Sequence, residues 1–138
     1  MLRIVYGAKG SGKTGKLIDE ANEMVDKTSG NIVFITYVDR YNFDLNYRIR
    51  VINATNFGVG TEEQLAGFVK GVMASNSDID ILYIDGAHRI TGKAVADMEF
   101  FYGEIAKASK NSAVEICLSA STDVLPDFLA SYDSEKVE

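Results

Sequence analysis

A glycine-rich stretch near the amino terminus constrains the fold of this chain more than any other feature. Residues 7–14, called the glycine loop below, read GAKGSGKT and fit the pattern G-x-x-x-x-G-K-[ST] at every fixed position. A short apolar run at 2–6 precedes the loop, as a buried strand entering a tight turn does. The residues after the loop place one apolar stripe at helical spacing: Leu17, Ile18, Ala21, Met24 and Val25. The sequence therefore predicts a strand, a tight loop and a helix in direct succession.

The rest of the chain alternates between short apolar, β-branched runs and longer segments with helical spacing. Further strands are predicted at 32–36, 47–52, 79–84 and 114–118. Helices are predicted at about 61–73, at about 91–107 and, as a short helix, after Pro126. Thr61 and Gln64 match a capping box, and Gly30 suits the end of the first helix. This alternation is typical of an α/β protein, a three-layer αβα fold with a mainly parallel sheet of about five strands.

Composition indicates one acidic domain spanning residues 1–138. The chain has 20 acidic against 14 basic side chains, a formal net charge of −6, one proline and no glycine- or serine-rich linker. Such a protein lacks the overall cationic surface that it would need to coat nucleic acid or an anionic membrane. The composition still allows a local basic patch. No apolar run is long enough for a membrane helix or a signal peptide, so we expect a cytoplasmic protein with no membrane partner. The single cysteine, Cys117, excludes an internal disulfide, and the charged residues 134–138 are expected to be frayed.

Each residue type in the glycine loop suits the binding of a polyphosphate. Glycine at 7, 10 and 12 permits positive φ and removes the Cβ atoms that would keep a phosphate away from backbone N–H groups. The loop leads into a helix N-terminus, where unpaired N–H groups and the helix dipole favour an anion. Lys13 is expected to reach the β- and γ-phosphates, and the Thr14 hydroxyl to bind Mg²⁺. The predicted nucleotide-binding residues are Gly7, Ala8, Lys9, Gly10, Ser11, Gly12, Lys13, Thr14 and Gly15.

A second element of a nucleotide site stands at the end of the strand predicted at 79–84. Asp85 follows that apolar strand directly. A carboxylate there can hold Mg²⁺ through its water shell and offset the charge of Lys13. An aspartate that merely ends a strand is the alternative, and the presence of the glycine loop favours the metal role.

The glycine loop and Asp85 resemble the motifs of the P-loop NTPase superfamily, and the resemblance extends over essentially the whole chain. More loosely, the sequence is similar to a group of very short, stand-alone bacterial P-loop ATP-binding proteins that are sometimes labelled after the twitching-motility ATPase. The resemblance implies a P-loop NTPase fold, ATP and Mg²⁺ as cofactors, and nucleoside-triphosphatase activity. The Asn-Lys-x-Asp element of guanine-nucleotide switches is absent from the sequence, which favours ATP over GTP.

The sequence offers two candidates for the group that activates water. In P-loop proteins with a catalytic glutamate, that glutamate often follows the magnesium aspartate directly, whereas Gly86 follows Asp85 here. Without a carboxylate to orient water, hydrolysis should be slow. His88, the only histidine, and Asp39, just past the second strand, are the candidate catalytic bases, and a structural role is the alternative for each. Ser119 fits the polar position at the end of the next strand.

Aromatic and arginine side chains interleave from Tyr37 to Arg50, a stretch called the 37–50 segment below. This composition suits binding of single-stranded nucleic acid, of the nucleotide base or of a partner subunit. The alternative, which the acidic charge of the chain favours, is that the tyrosines pack against the sheet edge and the arginines pair with Asp39 and Asp44. Arg48 and Arg50 alternate onto one strand face, where either would be able to contact a phosphate.

Three functions fit these observations. The first is a Mg²⁺-dependent ATP-binding protein with slow ATPase activity that acts as a switch or as a subunit of a larger assembly, with a protein partner or a second copy of the chain. The second is a small-molecule or nucleotide kinase, which the lack of an arginine-rich lid segment disfavours. The third is a non-hydrolysing nucleotide-binding module that recognises protein or single-stranded nucleic acid through the 37–50 segment. A chain of 138 residues leaves little room beyond a nucleotide-binding core, which favours the first function.

Overall fold

The computed structural model describes residues 1–138 and has an α/β fold built on one six-stranded sheet. The strands are β1 (Leu2–Gly7), β2 (Asn31–Thr36), β3 (Arg50–Asn53), β4 (Ile79–Ile84), β5 (Glu115–Ser121) and β6 (Asp133–Lys136). The α-helices are α1 (Lys13–Met24), α2 (Glu62–Ser75), α3 (Ala87–Thr91) and α4 (Glu99–Lys110). The strands lie in the order β3-β2-β4-β5-β1-β6, and every neighbouring pair is parallel. The predicted parallel α/β sheet is confirmed, with six strands instead of about five.

Alternating side chains of the sheet pack against helices on its two faces. On one face, Ile4 and Leu82 belong to a buried cluster that includes Ile105 of α4. On the other face, Val5 belongs to a second buried cluster with Leu17 of α1. Successive residues of a strand point to opposite faces, so a continuous apolar run is what a parallel strand covered on both sides requires. The layers are therefore helix, sheet and helix.

The start of α2 agrees with the predicted cap. Thr61 is the N-cap residue, and its Oγ1 accepts a hydrogen bond from the Gln64 N–H at 3.1 Å. The Gln64 Oε1 accepts a hydrogen bond from the Gly60 N–H at 2.8 Å. In a capping box this side chain accepts instead from the N–H of the N-cap residue, here Thr61. A threonine cap of this kind contributes about 1 kcal/mol to helix stability.

Gly30 does not end α1, which contradicts the prediction. The helix ends at Met24, and Gly30 lies directly before β2. Its N–H donates to Asp80 Oδ2 at 2.8 Å, and a Cβ at this position would lie 2.5 Å from the carbonyl oxygen of Asp78. The glycine is required by this close approach of two chain segments rather than by a helix terminus.

The helix predicted at about 91–107 begins only at Glu99, and a short helix that was not predicted, α3, precedes it. Gly92, with a φ of 70°, ends α3, and α4 begins at Glu99 after a 3₁₀ turn. Val95 and Met98 in the intervening turn are buried in the same core as the helices, so the apolar spacing continues across the break. Periodicity alone therefore does not show that residues 92–98 lie outside the helix.

Two further elements are shorter than predicted. The strand predicted at 47–52 begins only at Arg50, because the Ile49 N–H donates to the Asn46 carbonyl at 2.9 Å and makes a turn there. Pro126 precedes a three-residue 3₁₀ turn and no longer helix. Both sites show local turn formation overriding a weak pattern.

The carboxyl-terminal residues, which were expected to fray, form the edge strand β6 beside β1. Beyond the strand, the Val137 N–H donates to the Tyr6 carbonyl at 2.8 Å, and Glu135 pairs with Lys16 of α1 at 2.8 Å. All residues of β6 are exposed, so no apolar alternation marks the strand in the sequence. Backbone pairing to β1 and ion pairs hold this segment without a buried side.

Candidate functional site

The carboxyl ends of β1, β2, β4 and β5 meet at one edge of the sheet, where a cleft of about 280 Å³ opens. In a parallel sheet, the residues that follow each strand gather at this edge. The glycine loop follows β1, Tyr37 follows β2, Asp85 follows β4, and Ser119 lies near the end of β5. His88 and Arg89 line the cleft from α3. This space is called the main cleft below.

The glycine loop forms one wall of the main cleft. The loop and helix residues that line it are Lys9, Gly10, Gly12, Lys13, Thr14 and Gly15. Gly10 and Gly12 have φ values of 80° and 98°, a left-handed backbone that glycine adopts without strain. The Lys13 Nζ donates to the Ala8 carbonyl at 2.9 Å, which keeps the ammonium group over the loop.

Gly7 and Ser11 shape the glycine loop without lining the cleft. A Cβ on Gly7 would lie 2.3 Å from the Val137 carbonyl oxygen and 2.5 Å from Ser11 Oγ, so only glycine fits at this position. The Ser11 Oγ is buried and has no hydrogen-bond partner. A buried hydroxyl without a partner is costly.

Asp85 is held at the base of the main cleft with only 2% of its surface exposed. The Thr14 hydroxyl donates to its Oδ2 at 3.0 Å, and the Ser119 hydroxyl donates to its Oδ1 at 2.6 Å. Ser119 also accepts from the Gly86 N–H at 3.2 Å, which fixes the hydroxyl in the donating direction. The structure thus brings Thr14 and Asp85, the two predicted metal ligands, into direct contact.

The main cleft is cationic although the whole chain is acidic. Lys9, Lys13 and Arg89 line it against one carboxylate, that of Asp85. Burial lowers the pKa of Lys13, and Arg89 lowers it further, while Asp85 acts in the opposite direction. Burial, followed by Arg89 and Lys13, lowers the pKa of His88 below its usual 6.5, so this imidazole is neutral near pH 7. An anion with several negative charges complements this cleft.

The ring of Tyr37 occupies the space next to Gly86. Gly86 has a φ of 79°, and a Cβ on it would lie 2.3 Å from the Tyr37 Cδ1. The Arg89 guanidinium lies 5.3 Å from the centre of the same ring, within cation–π distance. Tyr37 therefore covers the backbone directly after Asp85, where no side chain fits.

Arg89 is the cleft residue that the sequence did not point out. It follows Asp85 by four residues, and the only available signal was a second basic residue next to His88. Tyr37 was noted only as part of an aromatic and arginine-rich stretch. Neither residue belongs to the spacing of the glycine loop, so their convergence depends on the fold.

Asp39 lies outside the main cleft. Its Oδ1 accepts from the Asn53 side-chain amide at 3.2 Å and from the Asn56 amide at 3.1 Å. Together with Arg50 and Phe57, it lines a separate depression of about 430 Å³ along β3. Of the two candidate bases, the structure places only His88 in the main cleft.

The 37–50 segment does not pair its charges as the sequence suggested. Arg48 pairs with Asp26 of the first helix region at 2.8 Å, and not with Asp39 or Asp44. Tyr37 packs against the core, whereas Phe43 and Tyr47 are 98% and 92% exposed. The tyrosines thus differ from one another, and the segment presents two aromatic side chains to solvent.

No family model matches this chain, and the search of curated proteins finds no match either. No helix of the structure combines the length and the apolar character needed to cross a membrane.

Proposed function

We propose that this protein belongs to the P-loop NTPase superfamily, binds ATP with Mg²⁺ in the main cleft and hydrolyses it slowly, acting as a switch or as a subunit of a larger assembly. The observation that carries the proposal is the contact between Thr14 and Asp85. These residues lie 71 positions apart in sequence, yet their side chains meet at 3.0 Å beside Lys13. The sequence predicts each of these two residues as a magnesium ligand.

Phosphate binding is supported by charge and by backbone geometry. The glycine loop presents Lys13 and the N-terminus of α1, a helix of 12 residues with no acidic side chain in its first turn. Unpaired N–H groups at such a terminus favour an anion. A triphosphate fits these groups better than a neutral ligand does.

Magnesium binding is supported by the donor set at Asp85. A hydroxyl oxygen and a carboxylate are ligands that Mg²⁺ prefers, and this ion is usually completed by water and substrate phosphates. No group of three or more His, Cys, Asp or Glu side chains is placed to hold a metal ion. Thr14 and Asp85 are therefore the residues that would hold Mg²⁺ together with the nucleotide. When bound, the Mg²⁺ ion would offset the negative charge of the nucleotide phosphates.

Slow hydrolysis is supported by the surroundings of Gly86. Asp85 is the only carboxylate that lines the main cleft, and it is already engaged by Thr14 and Ser119. The ring of Tyr37 fills the space in which a side chain at position 86 would begin. His88 is the remaining group in the cleft that can accept a proton from water, because its lowered pKa keeps it neutral.

Replacing His88 by alanine should lower the single-turnover rate of ATP hydrolysis about 100-fold without changing ATP affinity, because a general base contributes about that factor. The wild-type rate should stay constant from pH 8 down to about 6.5 and fall below that, since the pKa of His88 lies below 6.5. The comparison variant is Asp39→Asn, which should keep the wild-type rate. Hydrolysis that survives His88→Ala and disappears in Asp39→Asn would assign the base to Asp39 instead.

A small-molecule kinase is the second candidate function. The depression that contains Asp39 runs along β3 and offers Arg50 and the Phe57 ring to an acceptor. Incubation with γ-labelled ATP and a panel of nucleosides and nucleotides separates the two functions. Label released only as inorganic phosphate supports the ATPase, and label transferred to an acceptor supports the kinase.

A further inference from the structure

We propose that Arg89 reads the γ-phosphate of the bound nucleotide by leaving the ring of Tyr37, so that the contact between Arg89 and Tyr37 distinguishes ATP from ADP. This inference rests on the proposed binding of ATP in the main cleft. It adds a nucleotide-sensing residue and a route by which the 37–50 segment responds to the third phosphate.

Arg89 is a cation of the main cleft without a fixed polar partner. Its guanidinium forms no ion pair and no side-chain hydrogen bond in the structure, and its one aromatic neighbour is Tyr37 at 5.3 Å. A guanidinium presents five N–H donors in a fork that matches a phosphate. A cation–π contact at an exposed site is weak compared with a charge-assisted pair of hydrogen bonds to phosphate. A phosphate within reach therefore competes successfully for Arg89.

The helix that carries Arg89 is fixed, so the response is confined to the side chain. Ala87 and Ile90 of α3 are buried in the larger core, and the Arg89 N–H donates to the Gly86 carbonyl at 2.9 Å. Arg89 and Lys13 both line the main cleft. The guanidinium thus faces the same space as the lysine expected at the β- and γ-phosphates.

Tyr37 connects this contact to the exposed surface. It is the first residue of the 37–50 segment, and its ring lies against Gly86, where a Cβ would be 2.3 Å away. Arg40 lies over the ring of Tyr41 at 5.1 Å and donates to its hydroxyl at 2.9 Å, and Phe43 follows with 98% of its surface exposed. Loss of the Arg89 contact therefore changes the surroundings of the Tyr37 ring at the start of this aromatic segment.

A single tryptophan gives the direct test, because the chain contains none. The variant Tyr37→Trp keeps an aromatic ring at the contact and makes it the only tryptophan fluorophore. Addition of MgATP should shift its emission, and saturating MgADP should not. In Tyr37→Trp with Arg89→Ala, the ATP-specific shift should disappear. An equal shift with both nucleotides, or a shift that survives Arg89→Ala, would overturn the inference.

Calorimetry with native Tyr37 keeps the test independent of the tryptophan. Wild-type protein should bind MgATP tighter than MgADP, and Arg89→Ala should lower that ratio about tenfold, as expected for loss of charge-assisted hydrogen bonds. Arg48→Ala removes an arginine that pairs with Asp26 outside the main cleft, and should leave the ratio unchanged. A ratio unchanged in Arg89→Ala would overturn the inference alone, whereas no binding of either nucleotide to wild type would overturn the proposed function and this inference with it.

Discussion

The variant Lys13→Ala should lose the thermal stabilisation that MgATP gives the wild-type protein. A ligand at about 100 times its Kd stabilises the folded state by about 2.7 kcal/mol. For a chain of this length, that corresponds to a rise in Tm of roughly 8 °C. Lys13 is the most buried cation of the main cleft, with 9% of its surface exposed, and its Nζ lies over the glycine loop. Differential scanning calorimetry with and without MgATP measures the shift in both proteins.

Lys16→Ala is the matched control for this experiment. Lys16 lies on the same helix and carries the same charge, but it pairs with Glu135 at 2.8 Å and does not line the main cleft. Its replacement should leave the ATP-induced rise in Tm close to the wild-type value. The comparison is between shifts, so a change in the stability of the free variant does not affect it. A rise in Lys13→Ala as large as in wild type would contradict the assigned role of Lys13.

The variant Gly86→Ala should lower the free energy of unfolding by about 3 kcal/mol. The backbone at Gly86 has a φ of 79°, which costs an alanine about 1 kcal/mol. The added Cβ would also lie 2.3 Å from the Tyr37 Cδ1, and displacing a packed ring costs about 2 kcal/mol more. Urea unfolding followed by circular dichroism measures the loss.

Gly92→Ala separates these two costs. Gly92 ends the same short helix with a φ of 70°, but nothing lies within 4 Å of its Cβ position. Its replacement should therefore cost only about 1 kcal/mol. In a Tyr37→Ala background, Gly86→Ala should cost about the same as Gly92→Ala, since the ring is gone, which gives a coupling energy of about 2 kcal/mol. Equal costs for both glycines in the native background would show that the Tyr37 ring does not restrict position 86.

Much of the fold could be predicted because burial of the sheet on both faces requires clear apolar patterns in the sequence. The apolar runs of β1, β2, β4 and β5 and the helical stripes of α1 and α2 follow directly from core packing. The features that escaped prediction depend on local turns or on backbone pairing. Gly92 ends α3 at the position where the sequence predicts a helix to begin, and β6 is held by β1 and ion pairs with no apolar side chain buried in it.

The candidate site residues also divide into those that local motifs predict and those whose position depends on the fold. Lys13, Thr14 and Asp85 belong to local motifs whose chemistry can be inferred from residue type and spacing. Asp39 also follows a strand end, yet the amides of Asn53 and Asn56 hold it in a separate depression, which spacing does not reveal.

Arg89 and Tyr37 lie 52 positions apart and meet only because β2 and β4 are neighbours in the sheet. Residues of this kind become visible when the strand order is known. The sequence by itself offered Tyr37 as one aromatic among several and did not mark Arg89.

Equilibrium dialysis of the wild-type protein against labelled ATP tests the central claim most directly. With Mg²⁺ present, the account predicts saturable retention of one ATP per chain, because Lys13, Thr14 and Asp85 converge on one cleft. Chelation of Mg²⁺ should weaken that retention, since the Thr14 and Asp85 oxygens then lose the ion that joins them to the phosphates. No retention of ATP with Mg²⁺ present, or equal retention with and without the metal, would contradict the account.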